Sequence, residues 1–399
     1  MTQPLSKARK KFVIDFSLLS ILFVFIVISL TAIYMAEPLM TAVLRNSQLW
    51  LKQAMWFVIG FCILGIILLF GIDRLFTGAK IFYWIFMVLL VILLIDKYIF
   101  DLPNQFIRPI NGTTAWYQIP YIGSFQPSEF MKIVLIIMCA NIIHEHNQHK
   151  QDMSFSSDYE LFLKILKVVI PPLVLIYLQP DTGIPIIIVI SILTMLCVAG
   201  IRKEWFFFGL IAVAFLFGAL IFLYYTNQPL LNSLFGGGYK LNRIYGWLEA
   251  EKYSSNWGLQ LYTSLLTVGS SGLTGTAGLR EAIIFFPEPQ TDFIFSVIGQ
   301  NFGLLGTGFV VILCTLFDLK LCQIALKHDK EQERYLVAGL LGMLLFQQFQ
   351  NMGMIIGILP ITGITLPFIS YGGSSMLSYM IPLAVVFHMS SENKQKFTH

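Results

Sequence analysis

The chain has 399 residues, of which 56% are hydrophobic and 12% charged, with a formal net charge of +4 and a mean hydropathy of +0.74. A soluble domain carries roughly 25% charged residues, so this composition excludes an ordinary soluble enzyme, and the net charge is too diffuse to argue for nucleic acid. Long apolar runs recur from end to end, which favours one integral membrane domain covering 1–399 over several soluble ones.

The basic stretch "KARKK" at 7–11 precedes the first apolar run, about 14–35. That run is long enough to span a bilayer, and no small-residue cleavage site follows it, so it reads as a retained span. Further spans are predicted at 54–72, 80–99, 128–144, 162–178, 182–200, 205–225, 291–317, 335–358 and 374–390. The expected fold is an all-α polytopic membrane protein of about ten transmembrane helices. "LQPDTG" at 178–183 separates the fifth and sixth, because Pro180 and Gly183 break a run too long for one helix. The five cysteines form no metal or redox spacing and read as small apolar fillers.

Lysine and arginine set the orientation. With both termini cytoplasmic, 17 of the 26 basic residues fall inside and 9 outside. The loops "HEHNQHK" at 144–150 and "KHDKEQER" at 327–334 then read as plain solvated turns, the histidines of the first lacking the carboxylate or cysteine framework of a metal site. Segments 100–128, 179–183, 226–292 and 359–375 all fall outside, with 226–290 as a large extracellular segment. They are dense in glycine, proline, aromatic and polar residues and suggest one composite site.

In the first segment Pro127 suits a helix start, and Glu129 and Lys132, three apart, share a helix face. They either neutralise one another or orient a substrate pocket. Trp116 is either an interfacial aromatic or part of that pocket. Asp181 opens the sixth span, where a carboxylate meets the positive end of the helix dipole. The third segment carries Arg243 and a strip of small residues, Gly269, Ser270, Ser271, Gly272 and Gly275, whose backbone amides can approach a phosphate. Arg243 is a permanent cation suited to a diphosphate. Asp292 stands at the lip of the eighth span, as a helix cap or as a reactive carboxylate. The fourth segment, "LPITGITLPFISYGGSSMLS", can line a protein-covered cavity, with Ser370 and Ser374 as candidate substrate contacts.

Five stretches together resemble the SEDS family, the shape, elongation, division and sporulation proteins that include RodA and FtsW. They are "FQPSEFMKI", "QPDTG", "VGSSGLTG", "PEPQTDFIFSVIGQNFGLLG" and "NMGMIIGILPITGITLPFISYGGSS", in the family's order. "FQPSEFMKI" after "WYQIP" looks most like RodA of Gram-positive bacteria. The resemblance implies a multi-pass protein of the bacterial plasma membrane. It implies polymerisation of lipid II into β-1,4-linked glycan on the outer face, with release of undecaprenyl diphosphate, during cell elongation. The implied partners are a class B penicillin-binding protein, other elongation-complex proteins and membrane lipid. Asp292 falls on the family's catalytic aspartate, Glu129 and Lys132 on its functional pair, and Asp181 on its second outer aspartate. One departure is Ala115, where many members carry a basic residue before the tryptophan; Arg108 is the candidate substitute. No ligand spacing demands a cofactor, though the chemistry admits a divalent cation, Mg or Mn, beside the diphosphate. The rival readings are a lipid II flippase or other transporter, the cell-division polymerase, and a non-catalytic scaffold for the wall-synthesis complex.

Overall fold

The computed structural model describes residues 12–100, 106–107, 113–119, 123–150, 154–235, 239–276, 284–285 and 287–396. Ten long helices overlie the ten apolar stretches. They are α1 (Phe16–Ala36), α3 (Leu49–Phe70), α4 (Ile72–Ile95), α5 (Pro127–His149), α6 (Phe155–Leu178), α7 (Gly183–Val198), α8 (Lys203–Thr226), α12 (Ile294–Leu326), α13 (Glu331–Ile355) and α14 (Gly373–Lys396). A short α2 (Ala42–Asn46) joins α1 to α3, and α9 (Gln228–Phe235), α10 (Tyr239–Leu248) and α11 (Leu259–Ser270) follow α8. The one departure from an all-helical fold among the described residues is a small antiparallel hairpin, β1 (Tyr117–Ile119) with β2 (Gly123–Phe125).

Among the described residues, seven helices are long and apolar enough to cross a membrane by length and composition: α1, α3, α4, α5, α6, α8 and α12. Helix α7 is apolar but only 16 residues long. Helices α13 and α14 carry buried polar side chains, among them Gln347, Gln348, Gln350, Asn351, Ser374 and Ser378. Such groups are tolerated at membrane depth where protein rather than lipid surrounds them. Accordingly α13 packs among α5, α7, α12 and α14, and α14 among α3, α5 and α12. Helix α8 is the opposite case: its most apolar stretch buries nothing inside the protein.

Capping fixes the first helix. The Asp15 carboxylate accepts hydrogen bonds from the Ser17 and Leu18 backbone. It also accepts from Ser390 Oγ at 2.5 Å and pairs with Lys320 and Lys394. These contacts hold the Asp15 carboxyl below the usual carboxylate range, against the opposing effect of burial. They also bring the start of α1 and the end of α14 to one end of the bundle, opposite Asp292.

Two expectations change here. The small-residue strip is a brace rather than an anion cradle. Helix α12 is kinked at Gly303, whose φ is +61°, and a methyl group there would run into the backbone of Gly275 and Leu273. The amides of Gly275 and Thr276 are taken by Ser271 O and Gln300 O, and Gly272 O and Leu273 O accept from Leu304 and Leu305. Second, neither of the two histidine-bearing loops is a plain solvated turn: 144–149 is the end of α5 with His146 buried, and His328 and Glu333 are buried in 327–334.

Candidate functional site

The loop 359–372 lies between two acidic groups. On one side, Pro127 starts α5 and places Glu129 and Lys132 one turn apart on a face that meets α14. Lys132 Nζ donates to Glu129 Oε2 at 2.5 Å, and its side chain is fully buried. The ammonium lies 4.7 Å from the centre of the Tyr379 ring. Tyr379 in turn receives a hydrogen bond from Gln347 Nε2 at 3.0 Å, and Ser378 Oγ donates to Glu129 Oε2 at 3.4 Å. Lys132 therefore reaches no open surface.

Asp181 joins this side. One carboxylate oxygen accepts from the amides of Gly183 and Ile184 at 3.1 and 3.2 Å, the capping geometry of α7. The other accepts from Gln126 Nε2 at 3.0 Å. Burial pushes the Asp181 carboxyl up to about 6, with nearby Glu129 adding to the effect and the two backbone amides opposing it.

On the other side stands Asp292, half-buried in the turn before α12. Among the described residues its carboxylate accepts no hydrogen bond, and the α12 cap position is Phe293. The capping reading therefore does not describe it. Burial pushes the carboxyl up to about 7; the Glu288 charge adds to the rise and the Arg243 charge opposes it. Gly363 faces it with φ +75°, and a methyl group there would stand 3.3 Å from Asp292 Oδ2. The next residue, Ile364, lies against the Asp181 turn: a methyl at Gly183 would be 3.2 Å from Ile364 Cγ1.

The backbone around Asp292 is fixed from below. Asn351, buried in α13, donates from Nδ2 to Asp292 O and Ile364 O, both at 2.8 Å. Ser370 Oγ donates to Thr291 O at 2.7 Å and accepts from Leu366 N at 2.8 Å. The Tyr371 amide donates to Gln290 O at 2.8 Å. Gln53, buried in α3, bonds Ser370 O and the Gly372 amide at 3.3 and 3.2 Å. Ser374 Oγ accepts from Gln126 N at 3.0 Å and donates to Ser124 O at 3.2 Å. The hydroxyls of Ser370 and Ser374 thus each tie loops together. Trp116 is half-buried just before β1, Arg243 lies on α10, and Arg108 lies outside the described residues.

The sequence reading missed Gln53, Gln126, Glu288, Asn351, Gly363 and Tyr379. The run "FQQFQN" at 346–351 was the available signal, since amides inside an otherwise apolar span mark a polar interior.

A bundle of long helices with buried polar interior members and a half-buried aspartate at one end defines a polytopic helical membrane protein with an acidic site. The family model for the FtsW, RodA and SpoVE cell cycle proteins matches residues 13–395, and the chain belongs to that family. It is 32% identical to the stage V sporulation protein E of Bacillus subtilis over 70% of this chain and 72% of that protein. It is 30% identical to a probable peptidoglycan glycosyltransferase FtsW of Lactococcus lactis, over 78% of this chain and 76% of the relative. In fold it resembles a chain from a structure described as "Structural coordination of polymerization and crosslinking by a peptidoglycan synthase complex". That match has a TM-score of 0.72 and 23% identity, over 96% of this chain and 100% of the other. It likewise resembles the crystal structure of the rod shape determining protein RodA of Thermus thermophilus, with a TM-score of 0.64 and 23% identity, over 95% and 97%.

Proposed function

We propose that the protein is a peptidoglycan glycosyltransferase that polymerises lipid II, with Asp292 as general base. The observation that carries the role of Asp292 is its carboxylate: half-buried, raised toward neutrality by burial, without a hydrogen bond among the described residues, and near the Arg243 charge. The activity itself is supported by family membership and by the glycosyltransferase relatives.

In this reading the acceptor 4-hydroxyl attacks the donor anomeric carbon from the side opposite the diphosphate. Its proton passes to an Asp292 oxygen, the bond to the diphosphate breaks, and an α-linked donor becomes a β-linked product. A carboxyl near neutrality is basic enough to take that proton while remaining partly ionised. Arg243 faces the charge that develops on the departing diphosphate. Asp292 and Glu288 are the carboxylates that would hold a divalent cation, which commonly binds through one or two carboxylates plus substrate phosphates and would supply further charge stabilisation. Glu129, Lys132 and Asp181 act as a scaffold that sets the loop 359–372 opposite Asp292.

The proposed partner is a class B penicillin-binding protein, supported by the synthase complex whose chain shares this fold. Five glycines on α12 and α13 are small enough to admit a partner helix, but most are used internally. Gly339 faces Ile136 and Met195, Gly342 faces Thr194, Gly303 faces Gly275, and Gly306 faces Phe302, while Gly308 alone of the five has open space around it. An elongation role is favoured by the RodA-like first segment, and a depletion strain that rounds up, rather than forming filaments, would support it.

Purified protein supplied with lipid II tests the activity. Glycan strands support a polymerase; movement of intact lipid between leaflets would identify a flippase, and neither result leaves a scaffold.

A further inference from the structure

At the end of the bundle opposite Asp292, the 327–330 connection, the first turn of α13 and the last turns of α14 bring two histidines and two glutamates together. His328 and Glu333 are buried, with side-chain exposures of 1% and 3%. His388 and Glu392 are partly open.

The orientation of His328 is set by its neighbour. Asn393 Nδ2 donates to Ile324 O at 2.9 Å, which turns its Oδ1 toward His328 Nδ1 at 3.2 Å. An amide oxygen only accepts, so Nδ1 carries the proton. Nε2, the other ring nitrogen, points into the cluster. It stands 3.0 Å from Glu333 Oε2 and 3.8 Å from Glu392 Oε2, yet is buried without a hydrogen-bonding partner. A buried imidazole nitrogen this close to two carboxylates needs a positive charge between them, a proton or a metal ion.

The spacing fits a small ion. Donor atoms of His328, Glu333 and Glu392 all lie within 4.8 Å of one another, and His388 Nδ1 is 3.3 Å from Glu333 Oε2. Ligands in a tetrahedral zinc site, with bonds of roughly 2.0–2.1 Å, stand about 3.3 Å apart. The separations of 3.0, 3.3 and 3.8 Å lie around that value. Lys330 Nζ contacts Glu333 Oε1 at 3.0 Å, the oxygen turned away from both histidines, and Glu392 at 3.4 Å. Its half-exposed side chain can release Glu392 while still neutralising the outer side of Glu333. Asp329, which pairs with Lys396, adds negative charge nearby.

We propose that His328, Glu333 and Glu392 form a binding site for a divalent cation of the zinc type, with the fourth tetrahedral position open to water, His388 beside it and Asn393 as the residue that orients His328. The ion would staple the start of α13 to the end of α14. This site is separate from the one at Asp292 and does not depend on the proposed activity.

The test is titration of the chelator-stripped full chain in detergent with Zn²⁺, and with Co²⁺ as a spectroscopic probe. The expected result is one saturable site, a tetrahedral Co²⁺ absorption band and a zinc-dependent rise in the unfolding midpoint. His328→Gln and Glu392→Gln should each weaken binding at least tenfold, roughly, and Asn393→Ala by roughly 10–100-fold, as for groups that orient metal-bound histidines. His144→Gln with His149→Gln, outside the cluster, should leave binding unchanged. Glu392 is partly exposed, so its variant remains informative if His328→Gln fails to fold. Absence of saturable uptake would overturn the proposal, as would equal affinity in Glu392→Gln. A midpoint that responds to pH but not to zinc would identify a protonated histidine–glutamate network instead.

Discussion

Glu129 and Asp292 flank the same loop, yet their surroundings are built in opposite ways. Glu129 has Lys132 at 2.5 Å and Ser378 at 3.4 Å, inside a wall completed by Tyr379 and Gln347. Asp292 has its main chain clamped by Asn351, while its carboxylate accepts no hydrogen bond among the described residues and faces a glycine. A polar group whose partners are all supplied by the fold is held in one state. A half-buried carboxylate with a raised pKa and no hydrogen bond has its proton affinity available for chemistry. In the proposed mechanism the first region is the scaffold and the second the proton acceptor.

The largest expected effect strikes the closed side. Lys132→Ala leaves Glu129 as a buried unpaired charge, and removing one partner of such a pair destabilises by about 3–5 kcal/mol. The unfolding midpoint of the detergent-purified variant should fall well below that of the parent. The double change Glu129→Gln with Lys132→Met should recover most of the loss, because no charge is left unmatched. A parental midpoint in Lys132→Ala would break the comparison.

Next comes the clamp. Asn351→Ala removes two hydrogen bonds and lets the Asp292 turn drift from Ile364. A misplacement of about 1 Å costs on the order of 10²-fold in rate, so polymerisation should drop roughly 10–100-fold, alongside a stability loss of about 1–3 kcal/mol. Gly363→Ala tests the same alignment from the other side: its methyl would press on Asp292 Oδ2, and φ +75° strains any side chain. Polymerisation equal to the parent's in both variants would show that the position of Asp292 is not critical.

A pH profile sharpens the electrostatic half of the comparison. The Asp292 carboxyl, at about 7, must lose its proton to act as a base, so activity should rise as pH passes through neutrality. Glu288→Gln removes a charge that raises this pKa and should move the rising limb to lower pH; Arg243→Gln should move it higher. Stability runs the other way. The native carboxyl binds its proton more tightly than the unfolded chain, whose aspartate titrates near about 3.9, so this group's contribution falls as pH rises from about 4 to about 7. A limb that stays in place in both variants would remove Glu288 and Arg243 from the neighbourhood of the base.

The smallest effect belongs to the loop clamps. Ser374→Ala gives up the contacts to Gln126 and Ser124 and should cost roughly 0.5–1.5 kcal/mol by thermal unfolding, with polymerisation nearly intact. Loss of activity far beyond that would return Ser374 to the substrate site.

Much of the architecture was legible because apolar run length is a direct signal of membrane helices. The breaks at Pro180 and Gly183, the helix start at Pro127 and the polar-rich segments all correspond to observed features. Three things were hidden for physical reasons. The glycine strip carries the same composition whether it cradles a phosphate or braces a kink, and only Gly303, far along the chain, decides between them. Ser370 and Ser374 carry hydroxyls that sequence cannot assign to a loop or to a substrate. Asn351 and Gln53 act through backbone atoms of distant loops, contacts with no local sequence pattern. The pairing of Glu129 with Lys132 was readable from their spacing, but its complete burial depended on how α14 packs.

The most direct test of the central claim is Asp292→Asn, purified and supplied with lipid II, with the unfolding midpoint measured on the same sample. The amide keeps the size of the side chain and removes its basicity. The account predicts a midpoint at or above the parent's, since a raised carboxyl leaves the site, together with glycan synthesis reduced by roughly 10²–10⁴-fold. Near-parental synthesis by a folded Asp292→Asn would contradict it.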